Sequence, residues 1–366
     1  MSNQTIKVLV NGISNSYGGV ESIFYSLLEC NDPNVQFDFI SNACNRDLIK
    51  MFSDKGSKVY ILPKFRENQK GYIQTLQKIF RENRYDIYHV NLTKYRMPID
   101  VVIAKKAGVR VVLHSHSTQI YKTGNRLKNL IRRLEFAAFK KVFIANSDLR
   151  IACSEKAGEF LFSGSDYEML YNGVSYERYA FNENARIKIR DELNCNDKTI
   201  LIGHIGRFSD EKNQEFIVDV FKKVCDEAPD FMLLLVGEGV RFDHIKEKTE
   251  AYGLNNKVRF TGYRKDIPDL LSAMDLFVLP SKHEAFPLSL IEAQVNGLDC
   301  VVSDVITHEI DIYGVTRIPL SNDEQWKETI LSYSTIERRK KCPIEDQRFN
   351  EAQFKDSLLR LYNSLV

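Results

Sequence analysis

Short apolar runs alternate with longer amphipathic or polar stretches, and this alternation restricts the fold more than any other feature of the chain. In the first half, the runs that we expect to form strands are residues 6–10, 35–40, 58–62, 85–90, 109–113 and 141–145. Strands that alternate with helical segments predict a parallel sheet covered by helices. We therefore expect an α/β fold, in which the ligand lies beyond the carboxyl ends of the strands.

The length of the chain indicates two domains. With 366 residues the chain exceeds one typical domain and suits two domains that each bury a core. We place the boundary near Ser175, which gives a first domain of residues 1–175 and a second domain of residues 176–345. Residues 346–366 carry apolar side chains at helical spacing and are expected to form an amphipathic C-terminal helix.

The composition argues against several classes of protein. The net charge is +2, 43% of the residues are hydrophobic and 27% are charged, so nucleic acid is not an obvious partner. The seven cysteines are scattered without CxxC spacing, which favours a reducing compartment over a disulfide framework or a zinc site. No signal peptide precedes the first strand, and no apolar run approaches the roughly 20 residues of a membrane span. We expect a cytoplasmic protein.

A strand, a loop and a helix in the second half form the most informative segment. Residues 276–279 are typical of a buried strand, and Pro287 predicts the first turn of a helix. Glu284 lies on the loop and Glu292 within the helix, while free N–H groups of residues 286–289 favour an anion near the loop. Carboxylates would accept hydrogen bonds from hydroxyl groups on either side of a pyrophosphate. The pattern predicts a nucleotide-sugar site, although glutamates at this spacing also occur on ordinary surface helices.

The two glutamates are followed by a glycine and by another strand. The full pattern is Glu284-x7-Glu292, Ala293-Gln294-x-x-Gly297 and Val302-Ser303-Asp304. It resembles the signature of retaining glycosyltransferases of family 4, which have the GT-B fold. The resemblance covers nearly the whole chain and is strongest between residues 203 and 304.

The resemblance implies two Rossmann-like, doubly wound domains that face each other across a cleft, with a C-terminal helix that crosses back to the first domain. It implies that Glu284 binds hydroxyl groups of the donor sugar and that Glu292 binds the ribose. Phe286, Pro287 and Leu288, between the two glutamates, are expected to contribute to donor binding.

Two cations occupy a strand-to-helix loop in the second domain. Arg207 and Lys212 follow the apolar run 199–206. The planar fork of arginine and the compact charge of lysine suit the two phosphates of a nucleoside diphosphate, although two cations in a loop can also be solvated surface residues. The pattern Gly206-Arg207-x4-Lys212-Asn213 resembles the phosphate-binding motif of the family, which implies that both cations bind the donor.

Two further segments are assigned to the donor by resemblance. Gly18 and Gly19 precede an amphipathic helix. They do not form a GxGxxG fingerprint, and such a pair is more often a tight turn than a ligand loop. In the family this pair lets the backbone approach the donor, and residues corresponding to Tyr263 and Arg264 lie near the base.

Two histidines follow a predicted strand of the first domain. A metal site at His114 and His116 is improbable, because no third ligand lies within range in the sequence. The family has a related histidine that faces the transferred sugar. We assign this role to His116 rather than His114, and His89 lies at another strand end in the same domain.

The segment 122–141 is basic and amphipathic. It contains seven lysines and arginines against one glutamate, and its apolar residues recur at helical spacing. One interpretation is that the apolar stripe packs on the sheet while the charges are solvated. The other is peripheral contact with an anionic inner membrane through Lys128, Arg132 and Arg133, where each cation contributes about 1 kcal/mol.

We therefore expect a retaining, hexosyltransferase-type glycosyltransferase that uses a nucleoside-diphosphate sugar, with UDP as the favoured nucleotide. Arg207 and Lys212 would stabilise charge on the departing diphosphate without a metal ion or other cofactor. Glu284 would orient the sugar, and His116 would lie close to the transferred ring. The acceptor is expected to be a saccharide or a lipid-linked saccharide in exopolysaccharide or capsule assembly.

Three alternatives remain at this point. The chain could be a nucleotide-sugar epimerase, a non-catalytic partner subunit of another transferase, or a membrane-surface binding module. The complete set of predicted donor residues argues against a partner subunit, because a scaffold has no use for them.

Overall fold

The chain divides into two compact units, each built on a parallel sheet. The computed structural model describes residues 5–13, 18–29, 32–42, 45–93, 96–120, 125–333 and 346–366. One unit comprises residues 1–173 and 351–366, and the other comprises residues 174–350. The division thus lies at 173/174 and 350/351, rather than at 175/176 and 345/346, where we expected it.

Strands and helices alternate along both units. The strands are β1 (Ile6–Ile13), β2 (Val35–Ser41), β3 (Val59–Ile61), β4 (Ile87–Leu92), β5 (Arg110–Ser115), β6 (Leu149–Ala152), β7 (Glu168–Met169), β8 (Ile200–Ile205), β9 (Phe231–Val236), β10 (Val258–Gly262), β11 (Leu276–Leu279), β12 (Cys300–Ser303) and β13 (Val315–Ile318). The helices are α1 (Gly19–Glu29), α2 (Arg46–Ser53), α3 (Gln69–Asn83), α4 (Ile99–Lys106), α5 (Arg126–Ala145), α6 (Glu155–Phe162), α7 (Tyr176–Tyr179), α8 (Glu183–Glu192), α9 (Gln214–Glu227), α10 (Phe242–Ala251), α11 (Ile267–Ala273), α12 (Leu288–Val295), α13 (Asp323–Leu331) and α14 (Glu351–Asn363), with a 3-10 helix at His308–Ile310.

The sheet of the first unit has the strand order β3-β2-β1-β4-β5-β6-β7 over the residues described. Every pair of neighbouring strands is parallel. All residues of β4 are buried, as expected of a central strand in a sheet covered on both faces. The strand order reverses between β1 and β4, so the crevice that binds ligands in such sheets lies at the carboxyl ends of these two strands. Asn11 and Asn91 are located there.

The sheet of the second unit has the order β10-β9-β8-β11-β12-β13 over the residues described, and its pairs are also parallel. Its order reverses between β8 and β11. The loop that follows β8 carries Arg207 and Lys212, and the loop that follows β11 carries Glu284. The three side chains therefore belong to the two loops at which a doubly wound sheet binds its ligand.

The C-terminal helix α14 packs within the first unit. The hydroxyl group of Tyr362 lies 2.7 Å from Nδ1 of His89 on β4. Gly173 permits a close approach, because a Cβ atom at this position would lie 2.7 Å from the Cα atom of Glu351. The helix thus completes the unit that begins with the N-terminal strand.

One predicted strand is wrong. Residues 141–145 form the last turns of helix α5, and the next strand is β6 at Leu149–Ala152. The apolar run resembles a strand, but no glycine or proline separates it from the preceding helical segment. Phe143 faces the core of this unit from the helix, which satisfies the same hydrophobic pattern without a strand.

Candidate functional site

The two loops at the reversal point of the second sheet are bonded to each other. The ammonium group of Lys212 donates to Oε1 of Glu284 over 2.6 Å. The backbone N–H of Lys282 donates to the carbonyl oxygen of Glu211 over 2.7 Å. The structure therefore joins two predicted donor-binding residues that are 72 positions apart in the sequence.

Glu284 is held in place through one of its two oxygens. Oε1 accepts hydrogen bonds from Lys212 and from the hydroxyl group of Ser281, each over 2.6 Å. Both of these contacts involve the same oxygen, so Oε2 can accept a hydrogen bond from a ligand hydroxyl group. The ammonium group of Lys212 has three N–H donors and uses one of them in the hydrogen bond to Glu284. The ion pair thus orients a hydroxyl acceptor while leaving the lysine able to bind a phosphate.

Arg207 stands apart from this pair. It is exposed, and it forms no ion pair within the part of the chain that the structure describes. Its backbone carbonyl oxygen accepts a hydrogen bond from Nε2 of Gln214 over 2.9 Å. The loop is therefore fixed at the backbone of Arg207, while the guanidinium group is open to an anion.

His204 and Gln214, which the sequence analysis did not identify, support this loop. Nδ1 of His204 lies 2.9 Å from the carbonyl oxygen of Val278, and its Nε2 lies 3.1 Å from Nε2 of Gln214. Since a carbonyl oxygen only accepts, Nδ1 carries the proton and Nε2 accepts from Gln214. Burial lowers the pKa of His204 to about 4, so the ring is neutral near pH 7. The sequence signal that could have identified this support is a histidine within the apolar run 199–206.

Two glycines let the neighbouring loop approach. Gly237 has φ of 131°, and a Cβ atom there would lie 2.2 Å from the carbonyl oxygen of Gly206. Gly239 has φ of 155°, and a Cβ atom there would lie 2.3 Å from the carbonyl oxygen of Phe208. Both positions combine a backbone conformation that favours glycine with space that only glycine fits. The backbone of the site loop is thus set by contact with the loop after β9.

Glu292 lies on α12, which packs against α7. Burial raises the pKa of Glu292 to about 7, although a hydrogen bond with the side chain of Tyr179 and the nearby charges of Arg178 and Lys212 oppose this shift. The carboxyl group therefore exchanges a proton near neutral pH. Helix α12 begins at Leu288 rather than at Pro287, and Pro287 is its N-cap and offers no capping side chain.

The remaining predicted residues of the second unit differ in their surroundings. Tyr263 is 49% exposed, as suits a residue that contacts a base. Arg264 instead pairs with Glu192 at 2.5 Å and with Asp266 at 2.6 Å. Its guanidinium group is therefore occupied, and a contact between this group and a base would require that one of these pairs open. The ring of Phe286 packs against another phenylalanine ring of the same unit.

The predicted residues of the first unit lie at strand and helix ends. His116 follows β5, and its Nε2 lies 3.0 Å from Oδ1 of Asn91. Gly18 and Gly19 stand at the start of α1, where the carbonyl oxygen of Gly18 accepts the first helical hydrogen bond from Ser22. The residues immediately before Gly18 lie outside the described part of the chain.

The first half of helix α5 exposes its apolar stripe. Leu127, Leu130, Ile131 and Leu134 are 66%, 54%, 47% and 65% exposed. The interpretation in which this stripe packs on the sheet is therefore wrong. Only the second half of the helix packs inward, as its buried residue is Phe143. Of the helices described, none has the length and apolar character needed to cross a membrane, and the described residues include no cluster of three or more possible metal ligands.

Comparison with known proteins identifies the family. Sequence models match residues 17–178 as "Glycosyltransferase Family 4" and residues 185–341 as "Glycosyl transferases group 1". The chain is 31% identical to the putative glycosyltransferase EpsF of Bacillus subtilis over 365 residues, which cover 94% of this chain and 93% of EpsF. The chain belongs to glycosyltransferase family 4. It is a hexosyltransferase-type glycosyltransferase (EC 2.4), as predicted from the sequence.

A second relative has a more specific description. The glycosyltransferase is 26% identical over 289 residues to an Escherichia coli UDP-Gal:alpha-D-GlcNAc-diphosphoundecaprenol alpha-1,3-galactosyltransferase. The match covers 75% of this chain and 73% of the relative.

The structure of HepE from Anabaena in complex with UDP and glucose resembles this glycosyltransferase with a TM-score of 0.77 at 19% identity. The similarity covers 98% of this chain and all of HepE. The predicted GT-B fold with two Rossmann-like domains is thus confirmed.

Proposed function

We propose that the glycosyltransferase moves a sugar from a UDP-sugar to a saccharide or lipid-linked saccharide, with retention of configuration, in the assembly of an exopolysaccharide or capsule. The observation that carries this proposal is the pair of bonded loops, where Lys212 and Glu284 meet at 2.6 Å. A cation and a carboxylate side by side match a phosphate and the sugar hydroxyl groups attached to it. The UDP bound to HepE and the undecaprenol-linked substrate in the name of the E. coli relative support the substrate classes.

Each predicted donor residue has a role in this proposal. Lys212 and Arg207 stabilise negative charge on the departing diphosphate, the electrostatic contribution that dominates many enzymatic reactions. The uncapped N-terminus of α12 adds N–H donors and a favourable dipole. These groups supply positive charge from the protein itself, so we propose that the transfer requires no metal ion.

The sugar and the nucleoside are bound by other residues. Oε2 of Glu284 accepts a hydrogen bond from a sugar hydroxyl group, and Glu292 accepts from the ribose. Tyr263 and the backbone of Arg264 lie beside the base. Gly18 and Gly19 let the backbone of the first unit approach the donor, and His116 lies beside the transferred ring.

The reaction is tested by incubation of the purified protein with UDP-glucose, UDP-galactose and UDP-N-acetylglucosamine. The acceptors are short saccharides and undecaprenyl-diphosphate-linked GlcNAc. We expect release of UDP that depends on both substrates, and a product whose anomeric proton in NMR shows the same configuration as the donor. An inverted product would contradict the retaining mechanism. A modified sugar nucleotide without acceptor would instead indicate an epimerase.

We further propose that helix α5 rests on an anionic membrane, at the inner face of the cell membrane. Its exposed stripe of four aliphatic side chains is accompanied by Lys128, Arg132 and Arg133. An interfacial helix combines such a stripe with cations on its flanks. Each cation near an anionic surface contributes about 1 kcal/mol. A second copy of the same helix is a poorer partner, because its cations would face like charges.

Vesicle sedimentation tests this contact. The full chain is expected to sediment with vesicles that contain phosphatidylglycerol, and less with phosphatidylcholine alone. Leu130→Asn/Leu134→Asn and Arg132→Glu/Arg133→Glu should each reduce sedimentation, whereas Ile187→Asn, at an exposed apolar residue of the other unit, should not. Equal sedimentation of all variants would refute membrane contact through α5. If light scattering shows a dimer for the wild type and monomers for the α5 variants, the stripe is assigned to self-association instead.

A further inference from the structure

Three histidines lie in a row, from His89 in the middle of β4 through His114 near the end of β5 to His116, which follows β5. The ring centroids of His114 and His116 are 4.0 Å apart, and those of His89 and His114 are 5.4 Å apart. The hydroxyl group of Tyr362 contacts His89 at the inner end of the row. His116 is at the outer end, so the group that fixes its ring decides which nitrogen is available to a ligand.

The side-chain amide of Asn91 has a defined orientation. Its Nδ2 lies 3.0 Å from the backbone carbonyl oxygen of Asn11 on β1. A carbonyl oxygen only accepts hydrogen bonds, so Nδ2 donates there and Oδ1 faces Nε2 of His116 at 3.0 Å. Since Oδ1 also only accepts, Nε2 of His116 carries the proton.

The end of β1 is shaped to admit Asn91. Gly12 has φ of 116°, and a Cβ atom there would lie 2.7 Å from the Cβ atom of Asn91. A larger residue would push Asn91 away from both of its partners. Backbone conformation and hydrogen bonding thus specify the same position for the amide.

We propose that Asn91 is a positioning residue for sugar transfer, which holds His116 as the Nε2–H tautomer so that Nδ1 accepts a hydrogen bond from a hydroxyl group of the transferred sugar. This inference rests on the proposed function, in which His116 lies beside the transferred ring.

The environment keeps the ring of His116 neutral, as this role requires. An imidazolium ion has no lone pair and cannot accept a hydrogen bond. Burial lowers the pKa of His116 to about 3. The titratable groups packed beside it are His114 on its own strand and His89 on β4, with Tyr362 of α14 behind them. Burial, reinforced by the neighbouring His116, also lowers the pKa of His89 to about 3, although a hydrogen bond with the side chain of Asn91 opposes this shift. Burial raises the pKa of Tyr362, so none of these neighbours carries a negative charge near pH 7.

The tautomer can be measured directly by 15N NMR of the imidazole nitrogens in the full-length protein. The His116 signals are assigned by their loss in His116→Gln. At pH 7 we expect a protonated Nε2 and an unprotonated Nδ1 in the wild type, and a mixture of tautomers in Asn91→Leu. A protonated Nδ1 in the wild type, or identical spectra for both proteins, would overturn the proposal. This measurement does not depend on transferase activity, so its failure is distinct from failure of the proposed function.

Kinetics provide the second test. Asn91→Leu removes the acceptor at similar size and should lower kcat/KM roughly fivefold, the effect of losing one ordinary hydrogen bond. Asn91→Asp keeps an acceptor oxygen and adds a negative charge, which raises the pKa of His116. Its activity should therefore fall on the acidic side of a new pKa that the wild-type profile lacks. Activity is measured as UDP released from UDP-glucose or UDP-galactose.

Asn68→Asp is the matched control, because Asn68 is an exposed N-cap of α3 and aspartate caps helices equally well. Its pH profile should match that of the wild type. UDP affinity should be unchanged in all these variants, and circular dichroism verifies that they fold. If Asn91→Leu unfolds, Asn91→Ala removes the acceptor with a smaller side chain and serves the same comparison. Coinciding pH profiles of Asn91→Asp and Asn68→Asp would refute the positioning role.

Discussion

Removing the carboxylate of Glu284 should separate nucleotide binding from sugar transfer. In the free protein this carboxylate holds the ammonium group of Lys212 at 2.6 Å, and the two side chains are 11% and 22% exposed. A bound diphosphate must therefore share Lys212 with Glu284. Glu284→Ala releases this donor, so UDP should bind equally well or up to about tenfold more tightly, which corresponds to about 1.4 kcal/mol.

The other effects of the pair are larger. A hydrogen bond to a charged group contributes about 1.5–3 kcal/mol, so Lys212→Ala should raise the Kd for UDP roughly 10- to 150-fold. Glu284→Ala should lower turnover by about 10²–10³, the usual loss when one oriented polar group in an active site is removed. Lys212→Ala should thus weaken UDP binding, whereas Glu284→Ala should lower turnover without weakening UDP binding.

Calorimetric titration with UDP and a coupled assay of UDP release measure the two effects. Lys222→Ala is a matched control, because Lys222 forms an exposed ion pair with Asp226 in the same unit. It should change neither quantity. Thermal melting must show that the variants are folded, since Glu284→Ala leaves Lys212 without its partner. A loss of UDP affinity in Glu284→Ala equal to that in Lys212→Ala would refute this assignment of roles.

Three further predictions concern other parts of the site. Burial raises the pKa of Glu292 to about 7, so ionisation of this carboxyl group in the folded protein costs stability. The contribution of Glu292 to the free energy of unfolding should therefore decline as pH rises from about 4.5 through 7. If the ionised carboxylate binds ribose, UDP affinity should increase across pH 6–8 in the wild type and, apart from the titration of UDP itself, not in Glu292→Gln. Arg207→Ala removes an exposed cation and should weaken UDP binding about 10-fold without changing the melting temperature, as calorimetry and thermal melting would show. Gly237→Ala should lower the free energy of unfolding by at least about 2 kcal/mol in urea titration, because its Cβ atom would meet Gly206, whereas Gly253→Ala, which has open space, should cost about 1 kcal/mol.

The sequence predicts the fold where local patterns are sufficient. Alternating apolar runs identified the parallel sheets, and the strand-like run 276–279 followed by Pro287 located the loop and helix at the reversal point of the second sheet. The strand predicted at 141–145 failed because an apolar run of five residues is compatible with either a strand or a helix. Helix α5 continues through this run without a break, so these residues are helical.

Contacts between distant residues could not be predicted from spacing. Lys212 and Glu284 were each assigned to the donor, but their ion pair depends on how β8 and β11 lie side by side. The close approach of Gly237 to Gly206 likewise depends on the pairing of β8 with β9. The exposure of the α5 stripe depends on how much of the helix the sheet can cover, and composition left both interpretations open.

The most direct test of the donor site is a calorimetric titration of the wild-type protein with UDP, GDP and ADP in the presence of EDTA. We expect micromolar binding of UDP that EDTA does not change and that Lys212→Ala weakens, with little binding of the other two nucleotides. Absence of UDP binding, or binding that EDTA abolishes, would contradict a donor site in which protein cations alone hold the diphosphate.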